Sequence, residues 1–444
     1  MTFDTMITEM TFFGVFLIAG FLVREIIKPI QKLFIPSSIV GGVIALIGGQ
    51  QVLGLWEVPA SFGSYSGTLI RFVMCALIFG VVLNWEKLKS YADYMMVVHS
   101  VYGWQMALGI ALGALFCVIW PSLPTGWGFE GVQSFYGGHG TAGAAGAVFE
   151  EITGSTDITS IGMVLSTFGL VFAMTVGMVV VNFGVRRGWA KYVKEPKKQP
   201  PHFYGGVLPK EAQSSIGTAK TTSISVNALA LQFAWILLSM FVGEKLFQAI
   251  SLVLPIVDQM PTLTYDTVGG LIMFPILRLL KLDKFTDKKT VSELSGCALE
   301  LLILGAVATL NITVVVTNFL PLMIFSVILC GLTVFWPLFM AHKTCEDEWF
   351  EKACMIIGQS TGATPTGLAL VRAIDPDGKS CPPEAHGIYS GLTFWTTFFT
   401  GLLPVSLASG NISIGVTAGL IQFAICCLIG FGIFGRLKKK HAAG

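Results

Sequence analysis

Charge is what this sequence has least of. Of its 444 residues, 12% are charged and 53% hydrophobic, whereas a soluble globular domain carries about 25% charged residues. The shortage excludes a large water-soluble fold, whose helices need polar faces that these apolar runs lack. A net charge of +2 gives no footprint for nucleic acid. Basic residues are missing from the opening MTFDTMITEM, so no cleaved signal peptide is expected. The nine cysteines make no C-x-x-C spacing; they read as small apolar packing residues rather than metal or redox sites. H-E-x-x-H does not occur, and the six histidines lie mostly in or near loops, which leaves an integral-membrane enzyme without a recognisable reacting set.

What is present is a succession of apolar runs long enough to span a bilayer as helices. The expected fold is an all-α polytopic membrane protein with about 11 transmembrane helices, near 12–27, 35–55, 66–84, 94–120, 159–183, 224–250, 263–281, 294–317, 320–341, 386–404 and 411–434. Two further segments, about 121–158 and 350–380, are apolar but broken by Gly, Pro, Ser and Thr. The chain divides into an N-terminal repeat (1–183), a Pro-, Lys- and Ser-rich cytoplasmic linker (184–223), a C-terminal repeat (224–404) and an extra C-terminal helix with a basic tail (405–444).

With residue 1 outside, the inner side receives Lys28, Lys32, Lys87, Lys89, Arg186, Arg187, Lys191, Lys194, Lys197, Lys198, Lys210 and Lys220. From the second half it receives Arg278, Lys281, Lys284, Lys288, Lys289, Lys343, Lys352, Arg436 and Lys438 to Lys440; the outer loops receive only Lys245. This is the positive-inside pattern, with the carboxyl terminus cytoplasmic. It holds if each broken segment returns to the side it left, as a re-entrant hairpin, the first opening outward and the second inward.

The halves resemble each other. SSIVGGVIAL at 37–46 matches YDTVGGLIMF at 265–274, and YGGHGTAGAAG at 136–146 matches IGQSTGATPTG at 357–367, in the same order. Five crossings per half would insert the second copy upside down, giving two inverted five-helix repeats, each with a hairpin. That arrangement points to a secondary transporter whose site lies at the discontinuous segments. Irregular backbone at membrane depth is tolerated where it is buried in protein or lines a watery cavity. Small residues that only allow tight helix packing are the competing account. A channel would need a continuous pore, whereas oppositely opening hairpins suit alternating access to one site.

On GGHGT at 137–141, TGATPT at 361–366 and the VGG of each half, the chain resembles the bacterial sodium/glutamate symporter family. The resemblance implies a homodimer in the bacterial inner membrane. It further implies sodium-coupled uptake of an acidic amino acid and an elevator mechanism in which a hairpin-bearing domain slides against a scaffold. Na+ is then a co-transported ion, and the partners are the lipid bilayer and a small anionic substrate. The eleventh helix exceeds a five-plus-five plan. LALVRAIDPDGKSCPPEAHG after the second motif is unlike the glutamate transporters, which tend to carry Asn-Met near Val371 and Arg372. A sodium- or proton-coupled carrier of a dicarboxylate or hydroxycarboxylate is the alternative. Since one charge crossing is worth about 2.3 kcal/mol per 100 mV, uptake of an anion into a negative interior calls for two or more cations.

The substrate set read from the tips is Gly138, His139, Gly140, Thr141, Ser360, Thr361, Gly362, Thr364 and Arg372. Arg372 offers a planar fork for a carboxylate, against a structural pairing with Asp375 or Asp377. His139 suits an anion or a coupled proton, against neutral packing. Thr141, Thr361, Thr364 and Thr366 offer hard oxygens for sodium, and the same hydroxyls suit helix caps. Glu150 and Glu151 read as vestibule residues. Arg71, Glu300 and Asp266 are structural charges, with Arg71 and Glu300 at nearly equivalent places and expected to pair. HKTCEDEWFEK at 342–352 reads as a solvated cytoplasmic turn.

Overall fold

The computed structural model describes residues 3–33, 35–59, 61–80, 85–193, 208, 210–222, 224–254, 260, 262–376, 378–390 and 394–438. Lys194, Lys197, Lys198, Asp377, Lys439, Lys440 and much of the expected linker lie outside them. Among the described residues the regular structure is entirely helical. The principal helices are α1 (Phe3–Ile26), α2 (Ser37–Gly48), α3 (Ser61–Ile78), α4 (Ala92–Ile119), α5 (Trp127–Thr153), α6 (Asp157–Arg186), α7 (Ala228–Ser251) and α8 (Thr262–Leu279). They continue with α9 (Lys288–Ala308), α10 (Phe319–Thr344), α11 (Trp349–Thr361), α12 (Thr364–Ile374), α13 (Pro382–Ser390), α14 (Phe394–Ala408) and α15 (Ser413–Ile429).

Seven helices among the described residues are long and apolar enough to cross a membrane, and three apolar helices are shorter. Several expected spans are interrupted, each for a local reason. The run expected over 35–55 ends as α2 at Gly48, because Gly54 turns the chain at φ 64° and Trp56 folds back to donate to the Ala45 carbonyl at 2.9 Å. The run expected over 294–317 breaks after α9, where the Asn311 side chain caps a short helix, Ile312–Thr317, by accepting from Val314 N.

Packing sorts the helices into two lobes, and each lobe takes helices from both halves of the chain. One lobe gathers α1, α2, α3, α7, α8 and α9 around Phe13, Phe62 and Leu304 and around Ile70, Met273 and Leu302. The VGG motifs are contact points here. A Cβ on Gly41 would stand 2.3 Å from the Phe16 carbonyl, and one on Gly269 would stand 2.0 Å from the Ser239 carbonyl. Glycine lets α2 meet α1, and α8 meet α7, backbone to backbone. The other lobe gathers α4, α5, α6, α10, α11, α12 and α15 around Tyr102, Phe129 and Ile356. Ala144 and Val148 of α5 and Met163 and Leu170 of α6 pack into the first lobe's cluster, so the seam between lobes is apolar.

Two charge assignments change. Arg71, 24% exposed at its side chain, pairs with Asp266 and with Glu244, each at 2.5 Å, and not with Glu300. The link joins α3 to α7 and α8, whereas the Glu300 Oε2 atom is buried without a partner among the described residues. The segment 342–352 is also only partly solvated. Its last residues, Phe350 to Lys352, are buried, because the Lys352 ammonium meets Asp93 at 2.5 Å and Glu351 accepts from the Lys191 amide at 2.7 Å.

Candidate functional site: two hairpin tips in contact

Helix α5 is two arms joined at Gly138, whose φ of 69° and ψ of −155° are not helical. Glycine reaches that conformation without the Cβ penalty other residues meet. The Thr141 hydroxyl donates to the Gln133 carbonyl at 2.6 Å, with the Gly138 carbonyl at 3.2 Å. Eight residues of continuous helix would put Thr141 about 12 Å beyond Gln133, so the chain must fold back here. The arms indeed run together: a Cβ on Gly126, before the first arm, would stand 2.7 Å from the Phe149 ring near the end of the second.

The second break repeats this bonding. Gly362 and Ala363 leave helical geometry between α11 and α12. The Thr366 hydroxyl lies 2.7 Å from the Gly358 carbonyl and 2.7 Å from that of Ala363. Gln133, Gly138 and Thr141 therefore correspond to Gly358, Ala363 and Thr366. The register matches GGHGT with GATPT, four residues displaced from the match that letters alone suggest.

The two tips touch. A Cβ on Gly138 would stand 2.9 Å from the Gly362 carbonyl oxygen, and the Gln359 amide donates to the Tyr136 carbonyl at 2.6 Å. From α4, the Gln105 amide donates to the Ser360 carbonyl and to the Thr333 hydroxyl, each at 2.8 Å. From α6, a Cβ on Gly169 would stand 2.2 Å from the Thr361 carbonyl oxygen. Two helices thus clamp the second tip from outside. Both second arms start at the contact, so two helix N-termini converge with their exposed N–H groups and positive dipole ends. Both first arms end there and bring carbonyl oxygens. An anion and a hard cation each find complementary backbone in one place.

Gly138, Gly362, Thr141 and Thr366 thus come together, the threonines as the bonds that close each turn. Ser360 and Thr361 are buried behind the second tip, the Thr361 hydroxyl donating to Ile357 at 2.6 Å. Gly140 and Thr364 begin the second arms; Thr364 is exposed, 3.1 Å from His386 Nε2. His139 is 5% exposed, with Nε2 3.1 Å from the Thr167 hydroxyl. Arg372 does not join the tips: it sits exposed in the last turn of α12. Asp375, one of its expected partners, accepts from the amides of Lys379 and Ser380. Glu150 is half-buried, and Glu151 is exposed beside Thr262.

Sequence reasoning missed Gln105, Gln359 and Gln133, whose amides bind the tips or their supporting rings, Gln133 donating to the Tyr102 hydroxyl at 3.0 Å. Their signal was available, since an amide inside an apolar run must find a partner. Glu130, in the first arm of α5, was missed too.

These features define a multi-pass helical membrane protein whose discontinuous helices meet at a polar backbone site. The comparisons narrow the class: residues 1–376 match the model of the sodium/glutamate symporter family, and the chain belongs to it. It is 23% identical over 356 residues to the sodium/glutamate symporter of Escherichia coli (strain K12), covering 78% of this chain and 82% of that one. The sodium/glutamate symporter of Shigella flexneri matches to the same extent. Helices α13 to α15 lie beyond the family match.

Proposed function

We propose that the protein is a sodium-coupled symporter that takes up glutamate or a related acidic amino acid by elevator-type alternating access. The observation that carries the reading is the contact of the two tips, where converging helix N-termini suit a carboxylate and adjoining carbonyls suit sodium. Substrate contacts are assigned to the backbone and hydroxyls of Gly138 to Thr141 and of Ser360 to Thr364. Sodium is assigned to oxygens of Thr141, Thr361, Thr364 and Thr366. Arg372 is kept as a residue that reaches substrate only if α12 moves.

The two-lobed packing supports the elevator. The lobe of α4, α5, α6 and α10 to α12 carries both tips and is the moving part; the lobe built on α1 to α3 and α7 to α9 is the scaffold. The repeated threonine bonding supports two inverted five-helix repeats with re-entrant hairpins, and α15 is the extra eleventh crossing. The protein then sits as a homodimer in the bacterial inner membrane, amino terminus outside and carboxyl terminus cytoplasmic.

The deciding experiment is radiolabelled glutamate uptake into proteoliposomes with and without an inward sodium gradient, with unlabelled succinate and malate as competitors. Uptake that requires sodium and is driven further by a negative interior supports the reading. Sodium-driven uptake of a dicarboxylate in place of glutamate would move the substrate. Uptake of neither would overturn the reading.

A further inference from the structure

Glu130 lies in the first arm of α5, about two turns before the Gly138 tip, and is 0% exposed. Neither of its carboxyl oxygens has a hydrogen-bond partner among the described residues. It lies against α6 at a place made for it: a Cβ on Gly162 would stand 1.9 Å from Glu130 Oε1, so any other residue there would expel the carboxyl. One turn along the arm, the Ser134 hydroxyl lies 2.9 Å from the Gly162 carbonyl. Further along the same face of α6 come Ser166, buried with its hydroxyl unpartnered among the described residues, and Gly169, which touches the Thr361 carbonyl of the second tip. A buried polar line therefore runs from Glu130 to the tips.

No charged group among the described residues is bonded to this carboxyl. Of the cations on helices packed against the hairpin, Arg71 of α3 is bound to Asp266 and Glu244, Lys352 of α11 to Asp93, and Arg186 ends α6 in an exposed position, about 36 Å of helix beyond Gly162. Lys288 and Lys289 stand at the far end of α9, over the Phe274 ring and at the Ser215 carbonyl. Among the other titratable groups of these helices, Glu300 of α9 keeps Oε2 unpartnered among the described residues, and His99 of α4 lies against the Tyr389 ring. Tyr102 of α4 bonds Gln133, Cys117 of α4 bonds the Leu123 carbonyl, Asp157 of α6 accepts from Asn311, and His139 meets Thr167. Helices α10 and α14 present no charge to it: α10 meets the neighbouring Gly131 through Phe325, and the α14 sequence holds no ionisable residue. A lone carboxylate sealed in such surroundings is untenable, and the group neutralises itself instead.

We propose that Glu130 binds a proton in this conformation and carries it through the transport cycle, so that the carrier couples to protons as well as to sodium. The inference rests on the secondary-transporter reading. With the arm packed against Gly162 the carboxyl is held as the acid. When α5 moves against α6 and water reaches the group, its O–H bond breaks, the proton passes to that water, and the carboxylate takes a proton from the other side before the arm repacks.

Two measurements test this. Infrared difference spectra of the purified protein in nanodiscs, without substrate or sodium, should show at neutral pH the carbonyl stretch of a protonated carboxyl. That band should shift in deuterium oxide and vanish in Glu130→Gln. Its absence from the wild type, its persistence in the variant, or its removal by sodium at constant pH (which assigns the site to sodium) overturns the proposal. In proteoliposomes, glutamate uptake under a fixed sodium gradient should bring protons inward, read by a trapped pH dye, and an inward proton gradient should raise its rate. Glu130→Gln should lose both effects. Sodium-driven uptake in the wild type with no proton movement overturns proton coupling while leaving the symporter reading intact. No uptake at all fails the symporter reading, and the infrared band then decides the protonation separately.

Discussion

At the scale of single residues, each tip is closed by one threonine hydroxyl, Thr141 in the first and Thr366 in the second. Replacing Thr141 or Thr366 with valine keeps the shape and removes the donor, leaving the Gln133 or Gly358 carbonyl without its hydroxyl partner. Each change should cost about 1–3 kcal/mol, read as a lowered unfolding temperature in detergent. It should abolish uptake, while the serine variants retain most of both. Gly169 gives a second test. Alanine there would put a methyl group against the Thr361 carbonyl, forcing α6 off the second tip. Uptake should fall sharply although no polar group has changed; wild-type uptake in Gly169→Ala would mean that the clamp from α6 is dispensable. Asp347, in the loop between α10 and α11, gives the pH dependence. Its carboxyl is held below the usual carboxylate range by the Lys191 ammonium at 2.6 Å. A depressed folded value stabilises above the unfolded pKa, near 4, and the contribution is lost as pH falls through the lower folded value. Both side chains are largely exposed, so it is below about 1 kcal/mol. Asp347→Asn should narrow the stability difference between neutral pH and roughly pH 3 by that amount, read by thermal shift.

At the scale of helices, α3 is tied to α7 and α8 by Arg71 alone among its described residues with ion pairs. Asp266 is fully buried, so Arg71→Gln leaves an uncompensated charge and should destabilise by about 3–5 kcal/mol. Adding Asp266→Asn should recover part of that loss; a single variant as stable as the wild type would show that the pair adds nothing. The pairing illustrates what a sequence conceals. Arg71 and Glu300 stand at similar distances after their VGG motifs, but one-dimensional spacing fixes neither which face of a helix a residue takes nor which helix lies opposite. Long apolar helices such as α6 and α10 could be read from composition because the bilayer imposes length and hydropathy. The two breaks were legible as well, since glycine, proline and threonine collect between apolar runs in both halves at matching places. What was not legible was the register between the breaks, set by threonine hydroxyls reaching back eight residues, and which partners Gln105 and Gln359 would find, since those are carbonyls distant in the chain. Arg372 attracted attention as a charge near a motif, and it stands exposed on the last turn of α12, at the opposite end of that helix from the tip.

At the scale of the molecule, the seam between lobes is where motion must occur if one lobe carries the substrate past the other. It is lined by Ala144, Val148, Met163 and Leu170 against Ile70 and Leu302, apolar side chains that can slide past one another. A cross-link should arrest it. A Cβ on Gly140 would lie 3.4 Å from a Leu299 methyl. Gly140→Cys with Leu299→Cys, in a background lacking the nine native cysteines, should therefore close under oxidation. Uptake should stop and return on reduction. Transport unaffected by a cross-link shown to have formed would rule out relative movement at this point.

The interleaving of the two halves also governs how the protein is made. Helices α1 to α6 leave the ribosome before α7 to α12 exist, yet each lobe is finished only by helices from the later half. Arg71 must enter the bilayer before Asp266 and Glu244 have been synthesised, and the first tip must wait for Gln359 to cover it. The early half is therefore an unfinished surface during synthesis, and the order of assembly is insertion first and packing afterwards. Two separately expressed halves, cut between α6 and α7, should accordingly find each other in the membrane and restore the carrier, whereas neither half should be stable alone.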